Sequence, residues 1–237
     1  MPGRPVVEVC CDSQLGVLAA ALAGAERVEL CRELAVDGLT PPEPAIAAAR
    51  AVPGLRLHVL VRPRAGDFVH DAGEVATMLA DIRRCRELGA DGVAIGCLGA
   101  DGRVDRGAMR QLIAAARPMA VTFHRAFDQA TDLPEALETL VDLGVDRVLT
   151  AGAPGPADAA SLARLVRQAA GRIAVIACGG LRAHNVGAVL AACEAPEIHF
   201  SQHLVPGGAV DPATLSGAIR AVMAAAFSRS AGPSARP

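Results

Sequence analysis

Six ionisable residues share one parity in short β-like runs: Glu8, Glu29, His58, Arg62, His124 and His199. Side chains alternate faces along a strand. Val7 and Val9 therefore oppose Glu8 and Cys10, and Val28 and Leu30 oppose Glu29 and Cys31. Leu57, Val59 and Val61 oppose His58, Leu60 and Arg62 in the same way, Val121 and Phe123 oppose Thr122 and His124, and Ile198 and Phe200 oppose Glu197, His199 and Ser201. These residue types offer acid–base chemistry. His124 and His199 suit general acid and base roles near neutral pH, and Glu8 or Glu29 can orient a histidine or take a proton. Arg62, Arg64 and Arg125, with Asp67 beside them, add guanidinium forks that match carboxylate or phosphate. Taken singly, each of these residues reads equally well as part of an internal ion-pair network. Taken together they read as a site, because buried charges are costly unless paired or functional.

Positioning such a set requires strands. Strand-like runs fall at 6–11, 27–31, 56–61, 92–97, 119–125, 147–150, 173–178 and 197–201. Helical stretches follow at about 13–24, 43–52, 72–88, 106–116, 133–143, 157–170, 183–193 and 212–226. Glycines in Ala23-Gly24-Ala25, Leu88-Gly89-Ala90 and Leu143-Gly144-Val145 mark helix ends. Eight βα units in 237 residues predict a single-domain (β/α)8 TIM barrel over 1–227. The Ser/Pro/Gly/Arg-rich tail 228–237 is expected to be disordered. The apolar parity should pack on the helices and the polar parity should point into the barrel. All six ionisable residues are then expected to line one cavity at the carboxyl ends of the strands, where barrel enzymes keep their sites. Gly179, Gly180 and Ser201 follow the last two strands, where barrels often bind phosphate.

Composition narrows the chemistry. All 23 basic residues are arginine, so no lysine Schiff base and no P-loop lysine is possible. A net charge of −2, no Trp and no Tyr argue against nucleic-acid binding. No GxGxxG follows the first strand, which weakens a dinucleotide-binding alternative. No apolar stretch is long enough to span a membrane and no signal-peptide core precedes the first strand. Seven cysteines without a CxxC pair fit free thiols in a reducing, cytoplasmic setting.

Longer strings carry a resemblance. Glu8-Val9-Cys10-Cys11-Asp12-Ser13, Arg27-Val28-Glu29-Leu30-Cys31, Val61-Arg62-Pro63-Arg64-Ala65-Gly66-Asp67-Phe68, Val121-Thr122-Phe123-His124-Arg125-Ala126-Phe127-Asp128 and Glu197-Ile198-His199-Phe200-Ser201 occur in order. Together they resemble the CutC family over most of the chain. The resemblance implies a cytoplasmic, often oligomeric (β/α)8 barrel, named for copper homeostasis, with Cu(I) at Cys10 and Cys31. Ala65 and Pro42 stand where the family usually has Gly and Ser, and Cys97 and Cys178 are thiols that the family pattern lacks.

Two functions follow for the same mouth. Cu(I) is soft and prefers thiolates, and inward cysteines on neighbouring strands about 4.8 Å apart can share an ion. Alternatively both thiols are small apolar fillers. Cys97 and Cys178 would be the next candidate ligands, while Cys11, Cys85 and Cys193 are expected to be structural. The other function is an enzyme acting on a small anionic metabolite, phosphorylated or carboxylated, through the His and Glu residues. Arg62, Arg64 and Arg125 converging on one mouth would then call for an anionic partner.

Overall fold

The computed structural model describes residues 4–204 and 211–228. The sequence tail from 229 onward, most of the segment expected to be disordered, lies outside the described residues. Eight parallel strands close into one barrel in chain order. They are β1 (Val6–Cys11), β2 (Arg27–Leu30), β3 (Arg56–Leu60), β4 (Gly92–Ile95), β5 (Ala120–Phe123), β6 (Arg147–Thr150), β7 (Ala174–Ala177) and β8 (Glu197–Ser201). Each is followed by a helix: α1 (Gln14–Ala23), α2 (Glu43–Arg50), α3 (Ala72–Glu87), α4 (Arg106–Ala116), α5 (Leu133–Asp142), α6 (Ala159–Ala169), α7 (Val186–Cys193) and α8 (Pro212–Phe227). Helix α8 packs on α1 and completes the outer ring.

Local chemistry sets the helix starts. Ser13, Asp71, Asp105, Asp132, Asp158 and Asp211 each accept a hydrogen bond from a first-turn backbone N–H. Asp71 and Glu74 form a reciprocal capping box on α3. Gly24 ends α1 at φ 81°, a left-handed conformation that a side chain would strain.

The parity expected from the sequence holds. Val7, Val9, Val28, Leu57, Val59, Val121, Phe123 and Ile198 are all at most 1% exposed and join the core between barrel and helices. The other parity faces the barrel axis, where Cys10, Cys31, Leu60 and Ala94 cluster on one side and Leu149, Ala151, Ile176 and Cys178 on the other.

Several strands are shorter than the sequence pattern predicts. β5 stops at Phe123 because His124 leaves the strand to cap a 3-10 turn, Arg125–Gln129, its Nδ1 accepting from Ala126 N–H at 3.2 Å. β2 stops at Leu30, yet Cys31 N–H still donates to Cys11 O at 2.9 Å. Cys31 thus stays beside β1 one step above the sheet.

Candidate functional site

The lower barrel interior is a charged layer. Arg27 is fully buried and donates to Glu8 on β1 and to Glu197 on β8. Arg147 Nε reaches Glu197 at 3.3 Å. Two arginines thus meet two carboxylates, the balance a low-dielectric interior requires. Sequence reasoning did not single out Arg27, Arg147 or Glu197 for any role. Their inward parity was the available signal.

Glu8 links this layer to the mouth. In the β1–β8 register it stands beside His199, whose Nδ1 lies 2.7 Å from Glu8 Oε1. Burial pushes the Glu8 carboxyl up, but Arg27 and the His199 hydrogen bond outweigh it and hold the group well below its usual range. Burial opposes charge on His199, yet its hydrogen bond to Glu8 and the nearby Glu29 charge raise its pKa above the ordinary value. His58 Nδ1 is 3.8 Å from Glu8 Oε2. Burial dominates there and lowers the imidazole to about 4, so His58 is neutral at physiological pH. Its ring fits because the facing β4 position is Gly92, where an added Cβ would lie 2.5 Å from His58 Nε2.

Above this layer a cavity of about 490 Å³ opens at the carboxyl ends of the strands. Glu29, Arg62, His124 and His199 line it. Glu8 and His58 do not, and the expectation that all six share one cavity is corrected accordingly. Both sit one step lower in the barrel, Glu8 bonded by Arg27 and His58 3.8 Å from Glu8 without a hydrogen bond on Nδ1 among the described residues. Cys10 lines the floor, as do Arg125, Gly179, Gly180 and Ser201 its rim.

Two further expectations change. Arg64 and Asp67 lie outside the cavity; Arg64 pairs with Glu74 at 2.5 Å and Asp67 at 2.8 Å across an exposed loop. The capped start of α3 supplies that Glu74 and draws Arg64 outward. Arg182 takes the third place at the mouth instead, held by Leu181 O at 2.8 Å. Nor are the arginines idle forks. Arg62 donates through Nη1 to Val36 O (2.7 Å) and Gly38 O (3.0 Å), and through Nη2 to Gly66 O (2.8 Å). Arg125 bonds Asp128 at 2.9 Å, and buried Asp128 in turn accepts from Thr150 Oγ1 at 2.5 Å and Ala151 N–H at 3.1 Å.

The floor gathers soft and hard donors. The Sγ atoms of Cys10 and Cys31 lie 3.8 Å apart. Cys10 faces Glu29 across the β1–β2 register, its Sγ 3.6 Å from Glu29 Oε1. Ligand atoms of Cys10, Glu29 and His199 all fall within 4.8 Å of one another. The hydrogen bond to Cys31, burial and the Glu29 charge push the Cys10 thiol well above its ordinary pKa. Burial raises Glu29 to about 6 against the opposing pull of His199.

The remaining thiols divide. Cys178 lines the far wall of the cavity with its thiol pushed up by burial. Cys97 packs in the outer core with Cys11, Cys85 and Cys193, away from the mouth. Cys10, Cys11, Cys31, Cys85, Cys97 and Cys178 are free thiols.

The chain is thus a (β/α)8 barrel protein with a cavity at the carboxyl ends of its strands, floored by thiols and acid–base groups. The CutC family model matches residues 5–204, and the chain belongs to the CutC family. It is 46% identical over 198 residues to a CutC family protein of Chromobacterium violaceum, covering 83% of this chain and 80% of that one. A Mesorhizobium japonicum CutC family protein is 45% identical over 199 residues, covering 83% and 77%. Among solved structures, the Streptococcus agalactiae protein described as copper homeostasis protein CutC superimposes with a TM-score of 0.77 at 32% identity, covering 82% of this chain and 97% of that one. No helix among the described residues is long and apolar enough to cross a membrane.

Proposed function

We propose that this CutC family chain binds Cu(I) on the cavity floor through the thiols of Cys10 and Cys31 and acts in copper homeostasis in the cytoplasm. The observation that carries the reading is the 3.8 Å separation of the two Sγ atoms. Two thiolates at that spacing suit a soft monovalent ion, and a reducing compartment keeps both thiols available. Glu29 and His199 stand close enough to Cys10 to add an oxygen or nitrogen donor. Competition for Cu(I) against bicinchoninate tests the reading. Wild type should withdraw about one equivalent, as expected for a single shared site, and the Cys10→Ser/Cys31→Ser double variant should withdraw none. Equal uptake by both proteins would move the ion elsewhere, with Cys178 the remaining thiol on the cavity wall.

A second reading, an acid–base enzyme acting on a small anionic metabolite, is favoured by the Glu8–His199 pair. Glu8 fixes His199 through Nδ1 and leaves Nε2 for a reacting group, the arrangement by which a carboxylate orients a catalytic imidazole. Nuclear magnetic resonance of a metabolite mixture incubated with the protein tests it. Depletion of one component by wild type but not by His199→Gln supports the reading, and an unchanged mixture counts against it.

A further inference from the structure

The cavity wall above the floor holds two buried donors without acceptors. His124 is 4% exposed and Arg62 is 3% exposed, and both line the cavity. Among the described residues, neither His124 Nε2 nor Arg62 Nε has a hydrogen-bond partner. An unsatisfied buried donor costs roughly 1–3 kcal/mol, so two on one wall need a reason. Both flank the same ring: Arg62 Cζ lies 4.9 Å from the Phe68 centroid, and the His124 and Phe68 centroids are 5.0 Å apart.

The protonation of His124 follows from its contacts. Nδ1 accepts from Ala126 N–H, so the proton of the neutral ring resides on Nε2. Burial and the adjacent Arg62 charge lower the imidazole to about 3, which keeps it neutral. The ring has little freedom to turn away. A Cβ at Gly96 would lie 2.5 Å from His124 Cε1, so the glycine is what admits the imidazole. Arg62 is equally fixed by its three backbone carbonyls.

We propose that Arg62 Nε–H and His124 Nε2–H, both beside Phe68, are the recognition donors for the carboxylate group of a small organic molecule that occupies the cavity. Two N–H donors, one cationic and one neutral, match the two oxygens and single charge of a carboxylate. A phosphate dianion fits less well, because the pair carries one positive charge and offers two donors to its three or more oxygens. A volume of about 490 Å³ falls in the range of small-molecule sites and far exceeds what one metal ion fills. With its carboxylate on this wall, the body of the molecule lies over Cys10 and His199. The inference does not depend on copper, since neither Arg62 nor His124 is among the thiol-floor donors.

Isothermal titration of the metal-free protein with acetate, glycolate and pyruvate, and with inorganic phosphate as the competing chemistry, tests it. At least one carboxylate should bind saturably, and more tightly than phosphate. His124→Asn keeps a side-chain oxygen to cap Ala126 N–H but removes the Nε2 donor, and should weaken that binding roughly tenfold or more. The titration uses metal-free protein and reads carboxylate binding alone, so its failure and a failure of Cu(I) uptake at Cys10 and Cys31 are separate outcomes. In wild type labelled with 15N-histidine, the His124 Nε2 resonance should shift on addition of the same carboxylate. No saturable carboxylate binding, tighter binding of phosphate, undiminished binding by folded His124→Asn, or an unmoved His124 resonance would each overturn the proposal.

Discussion

Glu8 Oε1 and His199 Nδ1 lie 2.7 Å apart across the β1–β8 seam, one carboxylate joining a buried ion-pair layer to the floor of an open cavity. The same Glu8 is bonded by Arg27 from below. The orientation of His199 at the mouth therefore depends on charges that no ligand in the cavity would touch.

Loss of Arg27 should consequently destabilise the barrel and disturb the site together. Arg27→Met leaves Glu8 without its guanidinium and Glu197 with Arg147 alone. Removing one partner of a buried pair typically destabilises by about 3–5 kcal/mol. Urea unfolding should show a loss of that order, and a loss under about 1 kcal/mol would show the layer to be dispensable.

The pH dependence of stability has two opposing contributions. His58 falls from 6.5 to about 4 on folding, so its stabilisation is complete above pH 6.5 and disappears as the pH drops through about 4. That difference corresponds to about 3 kcal/mol. Glu29 rises from 4.5 to about 6, so its contribution is complete below pH 4.5 and disappears as the pH climbs through about 6. Unfolding curves across this range should show His58→Asn with a flatter acid limb than wild type. Glu29→Gln should gain relative to wild type above about pH 6 and not below pH 4.5. Parallel curves for wild type and either variant would contradict the assignment.

Much of this was legible in the sequence, and the limits have physical causes. Period-two alternation placed Glu29, His124 and His199 inward, because apolar residues on the opposite parity can bury only against helices. Alternation carries no information about depth, so Glu8 and His58 were grouped with the mouth although they lie below it. Arg64 was misplaced because it follows the end of β3, where strand parity ceases and the capped start of α3 decides direction. Gly92 and Gly96 carried no apparent role, since the space they leave matters only once His58 and His124 are seen to fill it. Arg182 was missed because no strand pattern reaches it.

Copper affinity should rise with pH. The Cys31 hydrogen bond, burial and Glu29 hold the Cys10 thiol protonated, and a metal ion must displace that proton. Bicinchoninate competition should give tighter Cu(I) binding at about pH 8 than at about pH 6, with protons released to a weakly buffered solution. A pH-independent affinity would exclude Cys10 as a ligand.

X-ray absorption at the copper K-edge of the Cu(I)-loaded protein tests the central claim most directly. Two sulfur neighbours in wild type, with at most one further light-atom donor, and none in the Cys10→Ser/Cys31→Ser variant, is the predicted result. A wild-type ion surrounded only by nitrogen or oxygen, or a variant that retains both sulfur neighbours, would contradict a copper site on the Cys10–Cys31 floor.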